Sequence, residues 1–215
     1  MTKISITPVL AIAALAAMAA CSQASTDAAP APADPSVSAE APGARPAMAN
    51  PFEGDDANMK AKMMAAVGST ADHTWAMKMV EHHRGAIAMA RTVLGKTADA
   101  DVRRMAQMTV DMQTKEIAEL EAWLTAKGGH SAGDVNPFAE AERKMHDAMM
   151  AAMGSDANQT WVRKMLAHHQ GGIEVSEAVL ASTSDAGIRK MARKTIDMQR
   201  KDIVELDRWL ASHGG

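Results

Sequence analysis

Two short runs hold the residues best suited to chemistry. In Met79-Val80-Glu81-His82-His83 a thioether stands three and four positions ahead of paired imidazoles, and Met165-Leu166-Ala167-His168-His169 repeats the arrangement. Side chains three and four apart share a helical face, so one sulfur and two ring nitrogens are expected to converge over a single turn. A buried imidazole loses its hydration and needs partners for two ring nitrogens. Four of them, written as two pairs, point to a shared site rather than to isolated core histidines.

A later stretch adds to each copy. Met105 and Met112, with copies Met191 and Met198, fall on one face of a third helix, and Met112 and Met198 are expected to complete the donor set. Gln113-x-x-Glu116-Ile117 returns as Gln199-x-x-Asp202-Ile203. Glu116 falls in an apolar arc beside Met112 and Trp123, where an acid is expensive unless paired. Either Glu116 and Asp202 orient a histidine ring N–H from the preceding helix, or they lean to a partly exposed edge. Glu119 and Glu205 lie nearer that edge. Met145-His146-x-x-Met149 is a candidate extra site without a duplicate, because Lys60 occupies the position equivalent to His146.

Mixed thioether and imidazole ligation suits copper, Cu(I) above all. Zinc prefers cysteine, histidine and carboxylate and gains little from methionine. Methionine is also a flexible core filler, which is the reading for Met63, Met64 and Met150 and competes with a ligand role for Met149. Di-iron chemistry in a helical bundle needs Glu-x-x-His on two helices; the chain contains none, and Glu81 becomes Ala167 in the copy. There is no Gly-rich phosphate loop and no Ser/His/Asp pattern, so we expect no enzyme.

The elements that must position these residues are helical. The 215 residues include 19 Met and abundant Ala but no Tyr and only 2 Phe, which favours an all-α fold over strands. Formal charge is −3 with a pI near 6.2, and no basic stripe with interleaved aromatics argues for nucleic acid. From Pro51 the chain repeats without a gap, every matched pair lying 86 positions apart as Trp75 and Trp161 do. The copies are 51–129 and 137–215, about half identical, joined by a short Gly/His/Ser/Asp linker. Each reads as a short helix near 55–67 and long helices near 71–94 and 99–127, with Thr70 or Asp72 as a cap and Gly128-Gly129 as a stop. Four long helices predict one four-helix bundle, the short helices packing at an end.

Residues 1–20 read as a secretory leader, with Lys3 and then the apolar run from Val9 to Ala20, too short to span a membrane. The lone Cys21 excludes an internal disulfide and closes a lipobox-like Met18-Ala19-Ala20-Cys21, predicting lipidation; an ordinary leader cut elsewhere is the alternative. Ser22 after the cysteine favours a periplasm-facing position on an outer membrane. Residues 22–50 are Ala, Pro, Ser and Asp, too poor in large apolar groups to fold, and read as a tether.

The run from Met79 to Ile87, with Gln113-x-x-Glu116-Ile117 and Trp123-Leu124, resembles the domain-of-unknown-function 305 family, the CopM-like bacterial envelope proteins. The likeness spans 51–215. It implies a ferritin-like helical bundle, exported, and in some members copper binding linked to copper tolerance, with Met79, His82, His83 and their copies as metal-site candidates. Leu120 and Leu206 stand where the family often has methionine, and Asp202 replaces the glutamate. The reading is therefore a lipid-anchored envelope protein that buffers or sequesters copper. Its partners would be the metal ion and the membrane, with a homo-oligomer or a copper-handling protein left open. A metal-free interaction module with buried His/Glu networks is the main alternative, a metal-dependent oxidoreductase the weaker one.

Overall fold

The structure is a computed structural model, and it describes residues 49–214. The leader, Cys21 and nearly all of the tether lie outside these residues. Six helices follow: α1 (Glu53–Ala65), α2 (Ala71–Leu94), α3 (Ala100–Ala126), α4 (Ala139–Ala151), α5 (Ala157–Ser182) and α6 (Ala186–Ser212). Among the described residues there is no strand beyond isolated bridges at Gly68, and no helix is long and apolar enough to cross a membrane. The chain is all-α, as its composition predicts.

Local signals set the helix ends. The Thr70 hydroxyl accepts the His73 amide at the start of α2, and Asp156 takes the Gln159 amide at the start of α5. Asp99 and Asp185 cap α3 and α6 in the same way. Each supplies an acceptor to an amide that has no partner within its helix. Gly128 and Gly129 carry φ of 103° and 81°, left-handed values that a side chain would strain.

The helices α2 and α5 cross antiparallel at the centre. Trp75 near the start of α2 meets Ser176 near the end of α5, while His82 and His168 meet midway. The long helices α3 and α6 pack on α2 and α5 respectively. The short helices do not sit at an end of the bundle: α1 lies along α2, from Met63 beside Lys78 to Asp55 bonded to Thr92. The reason is Gly85, where a Cβ would collide with the Met59 side chain; Gly171 gives Met145 the same seat on α5. Two glycines thus open a groove that a short helix fills.

Two apolar clusters result. One gathers Met59, Met63, Ala90, Val102, Met149, Trp161, Met165 and Trp209, the other Trp75, Met79, Val80, Leu120, Leu124, Val175 and Ile188. On each long helix polar side chains lie between the two clusters: His82 and His83, His168 and His169, Gln113 and Glu116, Gln199 and Asp202. A polar layer separates two cores.

Candidate metal centres

Adjacent helical residues point about 100° apart, and this divides each histidine pair. His82 and His168 turn toward each other, with ring centroids 3.6 Å apart and planes inclined by 29°. His82 Nε2 lies 3.1 Å from the His168 carbonyl, and His168 Nε2 lies 3.0 Å from the His82 carbonyl. A carbonyl only accepts, so Nε2 donates in both rings and each Nδ1 is left with a lone pair. Both Nδ1 atoms are buried without a partner. His82 and His83 keep ring centroids 5.5 Å apart, and one histidine of each pair holds the α2–α5 crossing with its Nε2 committed to a carbonyl.

His83 and His169 face outward from that crossing, toward the acids on the third helix of each repeat. His83 Nε2 is 3.5 Å from Glu116 Oε2 and His169 Nε2 is 3.6 Å from Asp202 Oδ2. These are approaches and not formed hydrogen bonds. Burial dominates the titration of the group: it drops His82 to about 4 and His169 to about 3, and holds His83 and His168 well below the usual imidazole value. Burial likewise lifts Glu116 to about 7 and Asp202 to about 6. At neutral pH the four rings are uncharged, the form in which imidazole binds metal.

Around His169 the structure assembles a cavity of about 20 Å³, bordered by Met105, Met108, Thr109 and Met112 from α3, Trp161, Met165 and His169 from α5, and Asp202, Glu205 and Leu206 from α6. It is room for about one water or one ion. Four sulfurs, one imidazole and two carboxylates edge it. His169 Nδ1 is buried without a hydrogen-bond partner, an unmet donor atom at its border. Among the described residues no three or more His, Cys, Asp or Glu side chains are grouped to hold a metal. Any ion held here depends on methionine sulfur, which fits a soft cation.

The predicted residues thus divide. Met112, Met165, His169 and Asp202 come together at this cavity. Their equivalents Met79, His83 and Glu116 are buried on the far side of the crossing. Met198, the copy of Met112, is half-buried on an outer surface of α6 with Lys194, Asp197 and Lys201. The extra cluster is only partly joined. Met145 and His146 border a groove of about 320 Å³ between α1 and α4 with Met59, Met63 and Met64, whereas Met149 is fully buried in the core.

Sequence reasoning missed Met108, although Met105-x-x-Met108-x-x-x-Met112 has a readable helical spacing. It also missed Lys78 and Lys164, both fully buried. Lys164 Nζ donates to Asp56 Oδ2 at 2.7 Å and to the Met149 carbonyl at 2.7 Å; Lys78 Nζ donates to the Met63 carbonyl at 2.7 Å and meets Glu142 at 2.5 Å. Each pair ties one repeat to the other. The signal was present, since Trp-x-x-Lys-Met occurs in both copies and sets the lysine on the apolar arc.

An all-helical, internally duplicated bundle with a methionine-and-histidine centre is the class these features define. The family described as Domain of unknown function (DUF305) matches residues 12–124 and again 72–210, and the chain belongs to it. Solved structures share the fold. A DUF305 fragment from Deinococcus radiodurans is 21% identical with a TM-score of 0.56, covering 68% of this chain and 99% of its own. A putative secreted DUF305 protein from Streptomyces coelicolor is 22% identical at 0.57, covering 68% and 94%. CopM in a Cu(I)-bound form is 23% identical at 0.53, covering 68% and 99%, and CopM has also been solved with Ag and with Cu(II). No curated protein matches the sequence.

Proposed function

We propose that this protein captures copper as Cu(I) in the bacterial cell envelope and holds it without turning it over. The observation that carries the reading is the small cavity where Met105, Met108, Met112 and Met165 surround His169 beside Asp202. Thioether sulfur and neutral imidazole match a soft monovalent ion. Met165 and His169 would be its central ligands, Met112 would complete the set, and Asp202 would orient the His169 ring through its second nitrogen. The CopM structures with Cu(I) and Ag support copper as the ion. The lipobox-like sequence at Cys21 supports a lipid-anchored, periplasm-facing position, with buffering or sequestration as the physiological role.

The test is an anaerobic Cu(I) titration of the full chain against a competing chelator, repeated on Met165→Leu and His169→Ala. Tight binding in the parent that falls by at least about a hundredfold, or roughly 2.7 kcal/mol, in either variant is the expected result. Met165→Leu conserves volume and so separates a lost ligand from a lost fold. No binding above the chelator, or equal binding in parent and variants, overturns the reading. In that event the metal-free interaction module takes its place, for which the reciprocal His82–His168 contact is the supporting observation.

A further inference from the structure

The duplication supplies an internal control for the cavity at His169. Ten residues border that cavity, and at eight of these positions the other repeat carries the same residue. One of the two exceptions is conservative, Glu116 for Asp202. The other reverses the chemistry, because Lys194 occupies the position of Met108. Lys194 Nζ donates to Glu119 Oε1 at 2.7 Å, and its charge acts on both Glu116 and His83. Both His83 nitrogens are buried without hydrogen-bond partners, so the centre around it is short of partners yet already holds a cation at its rim.

Resting on the copper reading above, we propose that the two centres are not equivalent: the α3–α5–α6 centre takes the soft ion, and Lys194 keeps the α2–α3–α6 centre from taking a second. An ammonium at a bordering position repels an incoming cation; at the His169 centre the carboxylate of Glu205 is also taken, by Arg104 Nη1 at 3.1 Å, but Arg104 is not one of the ten bordering residues. Met108 at the matching position adds a sulfur and no charge. The protein therefore holds one ion tightly, although its sequence writes the ligand motif twice.

The position also makes the test clean. Met108 is 37% exposed and the Lys194 side chain is 37% exposed, so exchanging them leaves the buried packing in place. Native mass spectrometry and competitive titration would count Cu(I), with Ag(I) as a redox-silent second probe, on full-length parent, Lys194→Met, Met108→Lys and the double exchange. Expected are one tight equivalent in the parent, two in Lys194→Met, none in Met108→Lys, and one in the double exchange. In the double exchange the histidine signal perturbed on loading should move from His169 to His83. Two equally tight equivalents in the parent, or an unchanged count in Lys194→Met with the native helical spectrum retained, overturn this proposal and leave the copper reading standing. No tight equivalent in any protein overturns both.

Discussion

The centre at His169 and the centre at His83 share their tryptophan, methionines, threonine and leucine, and they part at Met108 against Lys194. The comparison teaches that a repeated Met/His motif need not be bordered by a repeated set of residues. His83 and His169 are equally buried and lie at nearly the same distance from an acid. What separates them is contributed by a helix of the opposite repeat. Site identity resides in the third helix packed across the centre, and no inspection of one repeat alone would reveal it.

The largest effect should come where the halves remain alike. Removing the acid of a buried ion pair strands a buried ammonium, so Asp56→Ala should lower stability by about 3–5 kcal/mol, read as a shift in denaturant midpoint. Asp56 is buried and Glu142 keeps 13% of its side chain exposed, so Glu142→Ala should destabilise less, water reaching Lys78 in part. Equal losses would show that the two ties are as symmetric in energy as in sequence.

The next effect is on pH. The four buried histidines have folded-state values below the unfolded 6.5, so in the window below about 6.5 the unfolded chain binds more protons and stability falls as pH falls toward 4. Glu116 and Asp202, raised to about 7 and about 6, act in the opposite sense, favouring the folded state as pH drops toward their unfolded values. Four groups outweigh two, and melting temperature should decline between pH 6.5 and 4. In Glu116→Gln that decline should steepen, because an opposing group is gone. A flat profile would mean that the rings are hydrated rather than sealed.

The smallest effect concerns the two central tryptophans. Trp75 Nε1 donates to Ser176 Oγ at 3.4 Å, whereas Trp161 Nε1 is buried without a partner because Ala90 stands where Ser176 does. Ala90→Ser should supply the missing acceptor and stabilise the fold by about 1 kcal/mol, detectable as a small rise in denaturant midpoint. A loss instead would mean that the added hydroxyl does not fit beside the indole.

The all-α class and the duplication were legible in composition and in the 86-residue offset, because both depend on local propensity and pattern. For Glu116 helical phase set the acid in the apolar arc but left open whether it faces a histidine of the preceding helix or a partly exposed edge, and the packing of α3 on α2 brings it 3.5 Å from His83 Nε2. Two things were not legible. The splitting of His82 from His83 depends on which neighbour each side chain meets, and only the α2–α5 crossing decides that. The place of α1 along α2 depends on Gly85, whose sequence context reads equally as a weak point in a helix. Met108 and Lys194 were visible as residues, yet their opposition exists only once α3 and α6 are brought across the centres.

The reciprocal His82–His168 contact has a consequence for how such a chain can vary. With the crossed Lys78–Glu142 and Lys164–Asp56 pairs, it is a self-complementary surface, the kind that a two-fold dimer of a single repeat would use. In such a dimer every substitution appears on both sides of the axis, so a lysine at one rim is a lysine at both. Covalent linkage of the two halves removes that constraint. One half can then change a residue at its centre while the other keeps it, within a scaffold whose shared surface has not changed.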